Sequence, residues 1–289
     1  MPPADNDALV STEWLAAHLG SERLRLLDGS FKLPGVSPPA ADEYRARHLP
    51  GAVFFDIDAI ADAASPLPHM LPAAADFAAQ VGALGVGDGD RVVVYDSGGL
   101  VSAGRVWWMF RSFGHASVAV LDGGLPRWLA EGRPVESGMP QPAPRRFTAR
   151  FDGTRLRGKA ELLANLASGR EQVLDARPQG RFEGGAAEPR PGLRSGHIPG
   201  SLSLPSERLV DPVLRTLLPP DRLRALFLAA GIDLARPIIT TCGSGVTAGA
   251  LAFALHRLGQ DAVAVYDGSW SEWGLPGDTP VATGPARAG

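Results

Sequence analysis

The sequence predicts an α/β protein of two tandem domains, each a mostly parallel sheet flanked by helices. Three observations carry that expectation. Short apolar, β-branched runs alternate with helix-length segments, the pattern of strands buried on both faces of a parallel sheet. The two halves of the chain repeat one another in order, and a proline-rich stretch separates them. Strands of this kind need helices on both sides.

The repeat can be followed along the chain. Around Leu26-Leu27-Asp28 and again around Val173-Leu174-Asp175, a helical stretch feeds a short strand ending in aspartate. His48-Leu49-Pro50-Gly51-Ala52 returns as His197-Ile198-Pro199-Gly200-Ser201, 149 residues later. The run Arg91-Val92-Val93-Val94-Tyr95-Asp96-Ser97-Gly98-Gly99 corresponds to Pro237-Ile238-Ile239-Thr240-Thr241-Cys242-Gly243-Ser244-Gly245, each followed by a helix-like segment. Ser117-Val118-Ala119-Val120-Leu121-Asp122-Gly123-Gly124 then answers Ala262-Val263-Ala264-Val265-Tyr266-Asp267-Gly268-Ser269, and Trp128 answers Trp273. Between the halves, Gly138-Met139-Pro140-Gln141-Pro142-Ala143-Pro144 favours extended chain over helix. The expected organisation is therefore a first domain over 1–138, a linker over 139–156 and a second domain over 157–289.

Composition narrows the function. A net charge of −3, from 28 basic and 31 acidic residues, gives no general attraction for nucleic acid or an anionic membrane. The acidic start, Met1-Pro2-Pro3-Ala4-Asp5-Asn6-Asp7, lacks the basic and apolar segments of a signal peptide, and no apolar run approaches the ~20 residues that span a bilayer. A single cysteine forms no internal disulfide, and a free thiol keeps best in a reducing compartment, so a cytoplasmic address is expected.

That cysteine, Cys242, stands where an apolar strand runs into Gly243-Ser244-Gly245 and then an apolar helix. A strand end, a tight turn and a helix N-terminus aim successive N–H groups and the positive end of a dipole at one point. A thiol there should ionise more readily than a free one, and open α/β sheets place their sites at the carboxyl ends of strands. Gly243 and Gly245 are expected to supply the positive φ angles such a loop uses. The first half has Asp96 in the same place and cannot do thiol chemistry, so it is expected to serve as a support. His48 and His197 recur in both halves, including the one without a thiol, which marks them as structural.

Taken together, these segments resemble the two-domain rhodanese-type sulfurtransferases. The resemblance is carried by Cys242-Gly243-Ser244-Gly245-Val246-Thr247, by 47–58 and 65–72, and by Gly180-Arg181-Phe182, Glu188-Pro189-Arg190-Pro191-Gly192 and Gly196-His197-Ile198-Pro199-Gly200. The loop is most like that of the branch that uses 3-mercaptopyruvate. The resemblance implies that Cys242 takes sulfane sulfur from a donor as a persulfide, releasing pyruvate, and passes it to a small thiol, cyanide or thioredoxin. No metal or organic cofactor is implied. It further implies that Ser244, His69 and Asp58 form a proton relay, with Asp58 and His69 supplied by the first domain. Arg181 and Arg190 would bind the donor carboxylate together with the loop residues Gly243, Gly245, Val246 and Thr247. An anionic donor suits arginine, which grips a carboxylate at two points.

Three other readings remain to be weighed. Thiosulfate, a dianion, calls for basic residues after the cysteine, whereas this loop is neutral. A cysteine phosphatase needs an arginine at the position held by Ala248. A sulfur carrier without turnover would need Cys242 but neither the relay nor the arginine pair.

Overall fold

The computed structural model describes residues 7–286, which fall by their contacts into two compact units. The first contains the described residues up to Ala63, with Leu71–Asp152 and Val210–Leu217. The second contains Ala64–Met70, Gly153–Leu209 and the residues from Leu218 onward.

In the first unit five parallel strands, β1 (Leu9–Val10), β2 (Leu24–Asp28), β3 (Ala52–Phe54), β4 (Arg91–Tyr95) and β5 (Val118–Leu121), lie in the order β1-β5-β4-β2-β3. The helices are α1 (Thr12–His18), α2 (Ala40–Ala46), α3 (Ala74–Ala83), α4 (Ala103–Ser112) and α5 (Gly124–Ala130). The second unit repeats the plan with β6 (Leu156–Arg157), β7 (Gln172–Asp175), β8 (Leu202–Ser203), β9 (Ile238–Thr241) and β10 (Val263–Tyr266), in the order β6-β10-β9-β7-β8. Its helices are α6 (Lys159–Ser168), α7 (Gln179–Phe182), α8 (Pro220–Ala229), α9 (Val246–Arg257) and α10 (Ser269–Trp273). The expected pair of mostly parallel α/β sheets is thus observed, and both are parallel throughout.

The apolar runs form strands because both of their faces are covered. Val92 to Tyr95 in β4 and all four residues of β9 are buried, and α4 and α9 are themselves buried along most of their length. Each large apolar side chain removed from water in this way contributes roughly 1.5–3 kcal/mol. Trp107, Trp108, Trp128, Trp270 and Trp273 are all buried, as packing residues should be. Among the described residues no helix is long and apolar enough to cross a membrane.

His48 and His197 fasten equivalent turns. Each ring places Nδ1 against a backbone carbonyl, Tyr44 O at 2.8 Å and Phe182 O at 2.9 Å, and stacks on the aromatic side chain of that same residue. Since a carbonyl only accepts, Nδ1 carries the proton in both. Residues 139–152 contain no helix or strand, and the later part packs on the first unit: Phe147 inserts edge-on against Phe77 and Phe110.

Two short segments are equivalent across the repeat and fall out of sequence in the contact pattern. Ser65-Pro66-Leu67-Pro68-His69 in the second unit corresponds to Asp211-Pro212-Val213-Leu214-Arg215 in the first. Ser65 and Asp211 each accept a backbone N–H two residues on, and His69 and Arg215 share left-handed backbone at φ +61° and +58°. His69, expected as a contribution of the first domain, therefore belongs by its contacts to the second unit.

Candidate active site

The loop after β4 shows what this backbone does around a negative charge. Asp96 is buried, and five N–H groups converge on its carboxylate: those of Gly98 and Leu100 on Oδ1, at 2.9 and 3.1 Å, and those of Val101, Ser102 and Ala103 on Oδ2, at 2.7, 2.7 and 2.8 Å. These donors come from the turn and from the first residue of α4, where a helix leaves its N–H groups without internal partners. Arg215 closes the back of this loop, donating from Nε and Nη2 to the Gly98 carbonyl at 2.9 and 2.6 Å.

Cys242 occupies the corresponding point after β9, 146 residues beyond Asp96, and is buried. Gly245 sits before α9 at φ +79°, the left-handed conformation expected of it, matching Gly99 at +75°. Gly243 is different: its φ is not positive, so the expected conformational reason is corrected. Its need for glycine is one of space, because a Cβ there would stand 2.9 Å from Nη2 of Arg181. Val246 and Thr247 form the first turn of α9, and Ser244 is buried within the loop. Residues at the start of α10 hold the loop from behind. Trp270 N–H donates to the Cys242 carbonyl at 3.0 Å, and Ser271 donates to the Gly243 carbonyl from N–H at 2.8 Å and from its hydroxyl at 2.7 Å.

Arg181, on α7, lies over this loop as part of a buried ionic cluster. Glu188 accepts from Arg181 on Oε2 and from Arg177 on Oε1, the latter at 2.8 Å; Arg177 also pairs with Asp175 at 2.7 Å and covers the Trp270 ring at 4.2 Å. Burial by itself would weaken the Arg177 charge, but the two carboxylates outweigh it and hold the guanidinium above its ordinary range. Two cations and two anions thus compensate one another, and Arg181 keeps its guanidinium beside Gly243.

Arg190 contacts His69. Its Nη2 stands 3.1 Å from Nε2 of His69, which is buried. A guanidinium only donates, so Nε2 of His69 holds the lone pair and Nδ1 the proton. Asp58 lies in the first unit, on an exposed turn whose N–H donates to Asp56 Oδ1 at 2.9 Å.

The structure adds residues that sequence reasoning left aside. Arg177 and Asp175 anchor the ionic cluster, and Glu188 links both arginines; Glu188 had figured only as one letter of a motif. Ser269, which figured only as a letter of the repeat, accepts the N–H of Cys242 on its hydroxyl at 3.1 Å. A serine standing where the first half has Gly124 was the available signal.

Comparison with known proteins places the chain in a family. The rhodanese-like domain family matches residues 11–131 and again 159–275. The chain is 46% identical over 273 residues to the 3-mercaptopyruvate sulfurtransferase of Homo sapiens, covering 92% of this chain and 91% of that one. It is 47% identical over 290 residues to the thiosulfate sulfurtransferase of Cricetulus griseus, covering 96% of each. The crystal structure of SseA from Escherichia coli, a 3-mercaptopyruvate enzyme, superposes with a TM-score of 0.83 at 40% identity, covering 92% of this chain and 99% of that one. The chain belongs to the two-domain rhodanese-like sulfurtransferases, a family of transferase enzymes.

Proposed function

We propose that the chain moves sulfane sulfur from 3-mercaptopyruvate to a thiol or cyanide acceptor through a persulfide on Cys242. The observation that carries the reading is the equivalence of two loops, one cradling a carboxylate with five N–H groups and the other bearing a cysteine at the same point. A backbone that collects donors around an anion is suited to a thiolate, the nucleophilic form.

In the first half-reaction the Cys242 thiolate attacks the donor sulfur. A sulfur–sulfur bond forms, the carbon–sulfur bond breaks, and the electron pair leaves on carbon as the enolate of pyruvate, which takes up a proton. An acceptor thiolate or cyanide then attacks the outer sulfur and returns Cys242 as thiolate. The N–H groups from Ser244 through the first turn of α9 stabilise the sulfur anion at both stages. Arg190 and Arg181 bind the donor carboxylate. A carboxylate on Arg190 competes with His69 for its N–H, and so frees the Nε2 lone pair to exchange a proton with Ser244 and the donor. With no second cysteine in the chain, the acceptor comes from outside, and a reducing, cytoplasmic setting suits both thiols.

The uncharged side chains of Gly243, Ser244 and Gly245 favour mercaptopyruvate over the dianion thiosulfate. The hamster relative keeps thiosulfate as a second reading, so kcat/KM for the two donors decides: a large thiosulfate advantage reverses the assignment. Intact-mass analysis after addition of 3-mercaptopyruvate tests the mechanism, with about 32 Da expected on Cys242. Cys242→Ser should abolish transfer, and undiminished turnover in that variant rejects the persulfide.

A further inference from the structure

Ser269 opens α10 at φ +49°, a left-handed backbone that serine adopts at a cost. The first unit fills the equivalent place with Gly124, at φ +52°, the residue type such a conformation favours. A serine kept where its own repeat uses glycine needs a reason, and the hydroxyl supplies one. Wholly buried, it accepts from the Cys242 N–H at 3.1 Å and from Thr241 Oγ1 at 3.3 Å, and it donates to the Tyr266 carbonyl at 2.7 Å. One donor and two acceptor sites are all used. With Trp270 N–H on the Cys242 carbonyl, both backbone polar groups of the cysteine are held by two successive residues.

We propose that Ser269 is a positioning residue for sulfur transfer: its hydroxyl fixes the Cys242 backbone so that the N–H groups of the Gly243–Thr247 loop face the sulfur. The proposal rests on Cys242 as the nucleophile. Loss of the hydroxyl lets the cysteine backbone rotate and the donors diverge, lowering both the reactivity of Cys242 and kcat, while donor binding at Arg181 and Arg190 is left intact. A residue kept only for fold stability behaves otherwise, because its substitution lowers activity only in step with a lowered midpoint.

The test uses the full chain with Ser269→Gly and Ser269→Ala. Four quantities are measured: the thermal midpoint, the rate of Cys242 alkylation by iodoacetamide at neutral pH, and kcat and KM with 3-mercaptopyruvate. Ser269→Gly is expected to keep or raise the midpoint while alkylation and kcat each fall about tenfold, the effect of one lost hydrogen bond of about 1.4 kcal/mol, with KM within about twofold. Wild-type alkylation and kcat in Ser269→Gly overturn the proposal. So does a loss of activity that tracks a lowered midpoint in the glycine variant, which marks a structural role. Should Ser269→Ala fail to fold, the glycine variant alone decides. If the wild-type chain transfers no sulfur from 3-mercaptopyruvate, the donor assignment fails, whereas the alkylation arm still judges Ser269.

Discussion

Replacing Asp96 tests the idea that this loop is built to hold negative charge. In Asp96→Asn the side chain keeps its shape but offers one oxygen and one NH2. Two N–H groups face one carboxylate oxygen and three face the other, so at least two are left against an NH2 whichever way the amide turns. A hydrogen bond to a charged acceptor contributes about 1.5–3 kcal/mol, and a buried donor left unsatisfied costs about 1–3 kcal/mol. Even with non-additivity, the loss should reach about 4 kcal/mol, a large share of the roughly 5–15 kcal/mol of a typical domain. Urea denaturation followed by tryptophan fluorescence reads it, with Trp107, Trp108 and Trp128 reporting on the affected unit. Asp96→Cys should be less damaging than Asp96→Asn, since a thiolate restores an anion to the same donors. If Asp96→Asn costs less than about 1 kcal/mol, the loop does not select charge, and the inference carried to Cys242 falls with it.

Other substitutions separate the roles of neighbouring groups. Arg177→Met leaves Asp175 and Glu188 buried without their shared cation and should cost about 3–5 kcal/mol in chemical denaturation. Gly243→Ala pushes against the far end of Arg181 rather than against backbone, so KM for the donor should rise several-fold while stability changes by less than about 1 kcal/mol. Arg190→Ala should raise KM more than it lowers kcat, read from initial rates with 3-mercaptopyruvate. Burial holds the His197 ring below its ordinary value of 6.5, so the unfolded chain takes up the proton first as pH falls. Stability is therefore complete above pH 6.5 and declines below it, and His197→Gln should flatten that slope in melting curves.

The sheets and their repetition were legible because burial on both faces forces apolar runs, and because duplication printed the same runs twice. The position of Cys242 was legible for the same reason: a strand, a glycine turn and a helix are local in sequence. What escaped depends on folding. Nothing in the letters near His69 says that its segment joins the second unit, and only the matching backbone of Arg215 reveals the pattern. Gly243 reads as a conformational glycine until Arg181 is seen against it. Arg177 and Glu188 are ordinary charges in sequence, and their pairing is decided by burial. Ser269 hides best, since its reason is a hydrogen bond to a cysteine 27 residues earlier.

The two loops also explain why one chain keeps both an aspartate and a cysteine at equivalent points. A carboxylate has two oxygens and can bind five N–H groups at once, so Asp96 holds its own loop from the front. A sulfur atom is a weaker and single acceptor, and during turnover its charge and its bonds change. It cannot serve as the fastener of the loop that activates it. The second unit therefore fastens from behind, with the Ser269 hydroxyl on the Cys242 N–H and two donors of Ser271 on the Gly243 carbonyl. The first unit has Gly124 and Pro126 at these positions, one without a side chain and the other without an N–H, and neither can supply those bonds. Of the three, only the bond to the backbone carbonyl of the loop's first residue has a counterpart in the first unit: Leu125 N–H donates to Asp96 and Trp270 N–H to Cys242, each at 3.0 Å. Moving the support from the anion to the rear of the loop leaves the N–H groups in front available to whichever sulfur carries the charge. On this argument Asp96→Cys alone makes a thiol on a loop that lacks the Ser269 and Ser271 contacts, although Arg215 still holds the Gly98 carbonyl, and it is alkylated by iodoacetamide more slowly than Cys242. Equal alkylation rates at the two sites would show that the rear contacts are dispensable.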